Sequence, residues 1–392
     1  MRDILENYAA NENNPKWSTI ITREKPLYKR DNDVRSEFER DYTRIIHSTA
    51  YRRLKHKTQV FFMPDNDHIC TRIEHVVLVE SISYTIAKYL GLNTELTKAI
   101  ATAHDIGHSP FGHMGERILS ELSMNDIGER FWHEKNGLDI VDKIELLEDP
   151  EGNKQNLNLT YAVRDGIISH CGEIDENRLK PRDEAIDLKE YTMPNQYAPY
   201  TWEGCVVKIA DKISYLGRDI ADAVSLGLLD EQLTELHDIL KFKDKVINNT
   251  VLVNQMIYDL CQNSNPEDGL CFSEETFKLI NDIKKFNYKN IYLTDKKLSS
   301  MEYFRFVLTA LYNALKESYK NKERAEEIYP ELMKDFETFL NDYWNLERKA
   351  INKNDVLFDI KDEKEYYKAI IYYISGMTDN YAIKMHNKII GF

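Results

Sequence analysis

Apolar residues along this chain recur mostly at steps of three and four, the period of helices that bury one face. After Thr71, the residues His75, Val79, Ile82 and Ile86 share such a face up to Leu90, and Gly91 supplies a stop. From Thr94 onward, Leu96, Ile100 and His104 align at steps of four. Between Glu203 and Val224, one stripe joins Val206, Ala210, Ile213, Gly217, Ile220 and Val224, and a second joins Asp211, Tyr215 and Asp219 beside it. Residues 149–158 and the proline-containing 173–201 read as loops, and "NSNPEDG" (263–269) breaks a C-terminal region that is again helical. No repeat, low-complexity tract or biased linker marks a boundary. The expected fold is all-α, with a helical core over residues 1–240 and a helical C-terminal region over residues 241–392 packed on it.

Composition narrows the function classes. Of 392 residues, 42% are apolar, enough for a sizeable core. No apolar run reaches the roughly 18 residues of a membrane span, so none is expected. The opening "MRDILENYAANENNPKW" lacks an apolar signal core, and the five cysteines are scattered without a C-x-x-C pair. The expected compartment is the reducing cytoplasm, with neither a disulfide frame nor a zinc ribbon. A net charge of −14 argues against a broad nucleic-acid surface, but it leaves room for a local basic pocket around an anionic substrate.

The chemistry gathers in "ATAHDIGHSPFGHMGE" (101–116), which holds three of the eleven histidines. His75 and His104 lie on apolar helix faces, where a lone histidine is usually a satisfied core residue. Asp105 changes that reading, because a buried carboxylate needs a partner or a cation. With Asp211 at the edge of another buried helix, His75, His104 and Asp105 make a mixed nitrogen and oxygen set for one divalent cation. Beyond Gly107 the chain turns at Pro110, and a new helix near Gly112 puts His113 and Glu116 on one side. Such a pair beside a cation suits proton transfer to a leaving group. His108 reads equally well as a turn residue. His133 and Glu134, in "FWHEKNG", form another pair able to tune His113 or touch a substrate. Arg72, Lys212 and Arg53 are surface charges taken singly, and a phosphate cradle if they line the same site.

Long blocks add a resemblance. They are "RDYTRIIHSTAYRRLKHKTQVF" (40–61), "TRIEHVVLV" (71–79), "HDIGHSPFGHMGE" (104–116), "FWHEKNG" (131–137), "DGIISHCGE" (165–173), "WEGCVVKIADKISYLGRDIADA" (202–223) and "ISGMTDNYAIKMH" (374–386). In type and order these blocks resemble the HD-domain deoxynucleotide triphosphohydrolases, or dGTPases, of which the vertebrate SAM-and-HD-domain dNTP hydrolase is a distant member. The resemblance implies an HD-domain phosphohydrolase core with a helical C-terminal extension. It places His75, His104, Asp105 and Asp211 on metal ligands. It places His113 and Glu116 on the catalytic pair, with His133 and Glu134 supporting them. Arg72 and Lys212 fall on triphosphate contacts, and Tyr215, Asp219 and Gln59 on positions that hold the deoxyribose.

The implied activity is hydrolysis of a dNTP, dGTP foremost, to deoxynucleoside and inorganic triphosphate, which controls dNTP pools. The implied cofactor is one divalent ion per subunit, Mg2+ or Mn2+ first, with iron, nickel and zinc as alternatives. The family also implies a homo-oligomer, hexamer or tetramer, with a dNTP effector at subunit contacts. The tyrosines of "EYYKAIIYYISGMTDNY" (365–381) either serve such an interface or cover the chain's own core. Two rival readings stand beside this one. The first is another HD-family nucleotide phosphohydrolase, such as a nucleotidase or a signalling-nucleotide phosphodiesterase. The second is a nucleotide-sensing regulator or nucleic-acid binder whose site has lost its chemistry, although the acidic chain makes nucleic acid an unexpected partner.

Overall fold

The computed structural model describes residues 3–28, 32–62, 68–171, 177–229, 233–240, 249–293, 295–344 and 348–391. Within them the chain is predominantly helical. The first part runs through α1 (Trp17–Ile20), α2 (Glu37–His47), α3 (Thr49–Arg53), α4 (Arg72–Leu90), α5 (Thr94–Ala103), α6 (Gly112–Asp126), α7 (His133–Asp139), α8 (Tyr161–Ser169) and α9 (Trp202–Ser225). The second part comprises α10 (Leu233–Leu240), α11 (Asn249–Asn263), α12 (Glu274–Asn287), α13 (Asp295–Lys320), α14 (Lys322–Ile328), α15 (Pro330–Asn341), α16 (Glu363–Ser375) and α17 (Asp379–Ile389). No described helix is long and apolar enough to cross a membrane.

The helices that carry the polar cluster start and stop where local chemistry dictates. Thr71 and Glu74 form a capping box on α4, and Gly91 ends the helix at φ 81°. Asn93 caps α5 by accepting from the backbone N–H groups of Glu95 and Leu96. The α9 stripe is buried from Val206 to Ile220, whereas Val224 is 39% exposed and the stripe has ended. The stretch 149–158, expected as a plain loop, instead closes as a hairpin. Strands β1 (Leu147–Glu148) and β2 (Lys154–Gln155) pair antiparallel, with Leu147 opposite Gln155. The Asp149 carboxylate holds this turn by accepting from the backbone of Glu151 at 3.0 Å and Asn153 at 2.8 Å.

Apolar side chains collect into two clusters. The first packs α4 against α5 and α9, continues to α8, and recruits α11 and α12 through Met256, Leu260, Ile280 and Ile283. The second joins α13, α15, α16 and α17 to α6, whose Ile118 and Leu119 are fully enclosed there. Tyr366, Tyr367 and Tyr372 are buried inside this second cluster. These three tyrosines cover the chain's own core, while Tyr373 and Tyr381 are half-buried at its edge.

Candidate active site

The predicted metal set meets where α4, α5 and α9 touch. His75 projects from α4, His104 closes α5 with Asp105 next to it, and Asp211 projects from α9. His75 Nε2 lies 3.0 Å from Asp211 Oδ1 and 3.8 Å from Asp105 Oδ2. His104 Nε2 lies 3.6 Å from Asp105 Oδ1 and 4.0 Å from Asp211 Oδ1. The partners of the other ring nitrogens fix the tautomers. His104 Nδ1 donates to the Ala101 carbonyl at 2.7 Å. Ser214 donates to the Asp211 carbonyl, so at 3.2 Å it accepts from His75 Nδ1. Both imidazoles therefore turn Nε2 toward the carboxylates: that of His75 donates to Asp211, and a cation would take the place of its proton, as on metal-ligating histidines.

Three of these residues, His75, His104 and Asp211, fit a divalent cation, while Asp105 groups with His104 and His170. His104 Nε2 is buried and has no hydrogen-bond partner among the described residues. Two carboxylates lie within 4.0 Å of it, and His75, His104 and Asp211 bring their donor atoms within 4.8 Å of one another. Burial opposes ionisation of Asp211, but its hydrogen bond to His75 outweighs burial and pushes its pKa down to about 2. Burial likewise opposes protonation of His75, and the same carboxylate raises its pKa.

Asp105 has partners of its own. The Arg72 guanidinium reaches Asp105 Oδ2 at 2.6 Å, and His108 Nδ1 faces Oδ1 at 3.0 Å. Burial works against the Asp105 charge, yet His108 and Arg72 hold its pKa well below the usual carboxylate range. His170, which follows α8, completes this half, with its ring centroid 5.0 Å from that of His104. Its Nδ1 donates to the Ile167 carbonyl at 2.7 Å, and burial drives its pKa down to about 3. A lone histidine at a helix end carries no periodicity signal, and its only mark in the sequence is the block "DGIISHCGE".

The acid–base half begins at Gly107. A Cβ on Gly107 would stand 2.0 Å from the His133 carbonyl oxygen, so only glycine lets α7 come this close. The contact brings the His133 ring to 3.8 Å from that of His108. Glu116 then bridges two imidazoles, with Oε2 3.2 Å from His113 Nδ1 and 3.0 Å from His133 Nδ1. Glu134 Oε2 faces His133 Nδ1 at 3.3 Å. Burial opposes the charge on His133, but Glu134 and Glu116 raise its pKa well above 6.5. Burial opposes the charge on Glu116 too, and His133 and His113 hold its pKa well below 4.5. The His113 side chain is 71% exposed, so it is the member of this group open to a substrate. Six of the eleven histidines thus form one connected group: His75, His104, His170, His133, His108 and His113.

A clamp from the chain's end fixes the turn before His113. Phe111 adopts φ 63°, a conformation that strains a non-glycine residue by about 1–3 kcal/mol. Its ring stacks on Phe304 at 4.2 Å, and its N–H donates to Asp379 Oδ1 at 2.9 Å. The other Asp379 oxygen accepts from Thr58 N at 2.8 Å. Buried Lys57 donates to the carbonyls of His108 and Ser375. No local pattern pairs Asp379 with Phe111, 268 residues away, so sequence reasoning did not find it.

The remaining predicted residues are placed as follows. Gln59 lies beside the turn, its carbonyl 3.5 Å from Arg72 Nη2. Arg53 pairs with Glu145 at 2.8 Å. Lys212 is buried on α9 and lines a small cavity with Leu179, Ile209 and Phe277. Tyr215 and Asp219 continue the α9 face that carries Asp211, and Asp219 accepts from the Tyr292 hydroxyl, a partner not foreseen. An open cleft of about 890 Å³ between Asn177 and Lys285 contains none of the predicted residues.

Comparisons with known proteins agree with this geometry. The HD domain model matches residues 72–216, a span that contains all four predicted metal ligands and the His113–Glu116 pair. A phosphohydrolase-associated domain model matches residues 270–388, which include Asp379. The class is that of HD-domain phosphohydrolases. Relatives described as deoxyguanosinetriphosphate triphosphohydrolase-like proteins align over nearly the whole chain. The one from Pelagibacter ubique is 33% identical and covers 93% of this chain and 96% of its own. Those from Desulfatibacillum aliphaticivorans and Caldanaerobacter subterraneus are 32% and 31% identical, each over 91% of this chain and over 88% and 86% of their own. The chain belongs to this family of deoxyguanosinetriphosphate triphosphohydrolase-like HD-domain proteins.

Proposed function

We propose that this protein hydrolyses deoxynucleoside triphosphates to deoxynucleoside and inorganic triphosphate. The observation that carries the reading is an exposed His113, paired with Glu116, beside a buried two-histidine, two-aspartate set. In the reaction, water attacks the α-phosphorus and the bond from phosphorus to the sugar's 5′-oxygen breaks. His113, oriented by Glu116, gives its proton to that departing oxygen. His75, His104, Asp105 and Asp211 would hold the divalent ion, Mg2+ or Mn2+, which offsets phosphate charge when bound. Arg72, Lys212 and Arg53 are the basic groups assigned to the triphosphate. Asp219, Tyr215 and Gln59 are assigned to the sugar, with Asp219 and Gln59 at its 3′-hydroxyl.

By the same reading the chain works as a homo-oligomer that a dNTP effector stabilises. That part rests on the family, since Tyr366, Tyr367 and Tyr372 are spent on the core. Chromatography of products from each dNTP, with Mg2+ or Mn2+, tests the reaction. Triphosphate with deoxynucleoside is the expected outcome. Monophosphate or pyrophosphate would make it another kind of nucleotide hydrolase, and no product would favour a sensor.

A further inference from the structure

Beyond the predicted metal set, the acid–base half contains a second group of donors. His108, His113, His133 and Glu116 each turn a ligand atom into one region, all within 4.8 Å of one another. Donors sharing one cation at about 2.0–2.2 Å stand roughly 3–3.5 Å apart. Glu116 Oε2 already meets that spacing, at 3.2 Å from His113 Nδ1 and 3.0 Å from His133 Nδ1. Hydrogen bonding alone accounts for those two edges and for His108 Nδ1, which faces Asp105, but it does not account for His108 Nε2. That side chain is only 2% exposed, and its Nε2 has no hydrogen-bond partner among the described residues.

We propose that His108, His113, Glu116 and His133 form a second cation site that takes zinc(II) or a similar borderline ion and blocks proton transfer when filled. The donor set carries three imidazoles and one carboxylate, a tetrahedral combination suited to Zn2+. It is richer in nitrogen than the predicted metal set, which offers two imidazoles and two carboxylates. Imidazole-rich sites favour zinc, copper and nickel over magnesium and manganese, so the two sites differ in preference. Entry is open on the His113 side, where that ring is 71% exposed, while His108 and His133 are enclosed and Glu116 is half-buried. Glu134 adds negative charge near His133, and Arg72 is occupied by Asp105. The blocking effect rests on the proposed role of His113. An imidazole whose lone pair lies on a cation cannot take up the proton it would pass to the leaving oxygen.

The test counts metal and turnover separately on the full chain. The protein is loaded with Mn2+ and dialysed against Zn2+, and both metals are measured by atomic emission. A parallel sample uses Co2+ for its visible absorption. The expected result is two equivalents of metal per chain in total, one more than the predicted set holds whichever ion fills it, with the intense visible bands of tetrahedral Co2+. His113→Ala, a change at an exposed position, loses that equivalent or weakens it at least tenfold, whereas Asp211→Asn keeps it. Turnover on a dNTP falls in step with filling. A total that stays at one equivalent per chain, or a further equivalent that His113→Ala leaves intact, overturns the site. Filling without loss of turnover overturns the block. If no dNTP is hydrolysed at all, the metal counts still decide the site, so the two readings fail separately.

Discussion

In the metal half, His75, His104 and Asp211 stand on α4, α5 and α9, helices that bury their apolar faces in one core. In the acid–base half, His113 and Glu116 ride on α6, whose Ile118 and Leu119 bury in the other core. The ligands are held from behind by helix packing. The acid–base pair is instead held by a strained turn, a glycine contact and a carboxylate near the chain's end. The site therefore lies on the seam between two packing units, and its chemistry depends on their register. The C-terminal region, which contributes none of the predicted ligands, touches the turn before His113 through Asp379, Phe304 and the Ser375 carbonyl that accepts from Lys57.

If that contrast is right, each half can be broken alone. The largest effect should come from the metal half. His104→Ala removes a buried ligand and should abolish tight binding of the divalent ion. Turnover should fall on the order of 10³-fold or more, because a bound cation supplies several kcal/mol of charge stabilisation. Equilibrium dialysis with metal analysis checks the binding, and retained metal at wild-type affinity would remove His104 from the ligand set. In the acid–base half, His113→Ala should leave the ion held by His75, His104 and Asp211 in place and lower kcat about 10²–10⁴-fold. Wild-type kcat in that variant would assign the proton to another group.

Much of the first half was legible in the sequence. Steps of three and four placed His75, Ile82 and Ile86 on one face and joined His104 to Leu96 and Ile100, and all of these are buried. A helix period carries that information within a few residues. The second half was legible only in part. The pair His113 and Glu116, three residues apart, could be read from spacing, but the membership of α6 in the second core could not. His170, Tyr292 and Asp379 act through contacts that cross 66, 73 and 268 residues, and such contacts leave no local pattern. Charge type alone also left the arginines undecided. Arg72 lies on Asp105 and Arg53 on Glu145, and these pairings depend on tertiary packing.

The third prediction tests the seam itself. Asp379→Asn replaces a carboxylate that accepts from Phe111 N and Thr58 N with an amide that can serve only one of them well. Hydrogen bonds to charged groups contribute about 1.5–3 kcal/mol, and the strain at Phe111 relaxes when its anchor goes. The turn before His113 should then shift. kcat should drop about 10- to 100-fold, as small misplacements of catalytic groups do. Affinity for Mn2+ at the His75, His104 and Asp211 set should stay at the wild-type level, because none of those three residues moves with α6. A parallel loss of metal would mean that the two halves are not separately held, and the contrast drawn above would collapse.

The smallest effect is a slope of stability with pH, and it isolates the buried pair of His133 and Glu116. The pKa of His133 is raised above 6.5 on folding, so its stabilisation is complete below that value and fades as pH climbs through the raised one. The pKa of Glu116 is depressed below 4.5 on folding, so its share is complete above 4.5 and fades as pH falls through the lowered value. Together they make the metal-free protein most favoured by this pair between 4.5 and 6.5. His133→Gln removes the cationic partner and keeps a side chain of similar reach. In EDTA, the gap in Tm between wild type and this variant should be widest near about pH 6 and narrow steadily toward about pH 9, since the wild-type imidazolium is lost over that range. The variant carries no such titration, so the narrowing belongs to His133 alone. A gap that is flat, or that widens with pH, would show that His133 is neutral in the folded chain and that Glu116 is held by His113 instead.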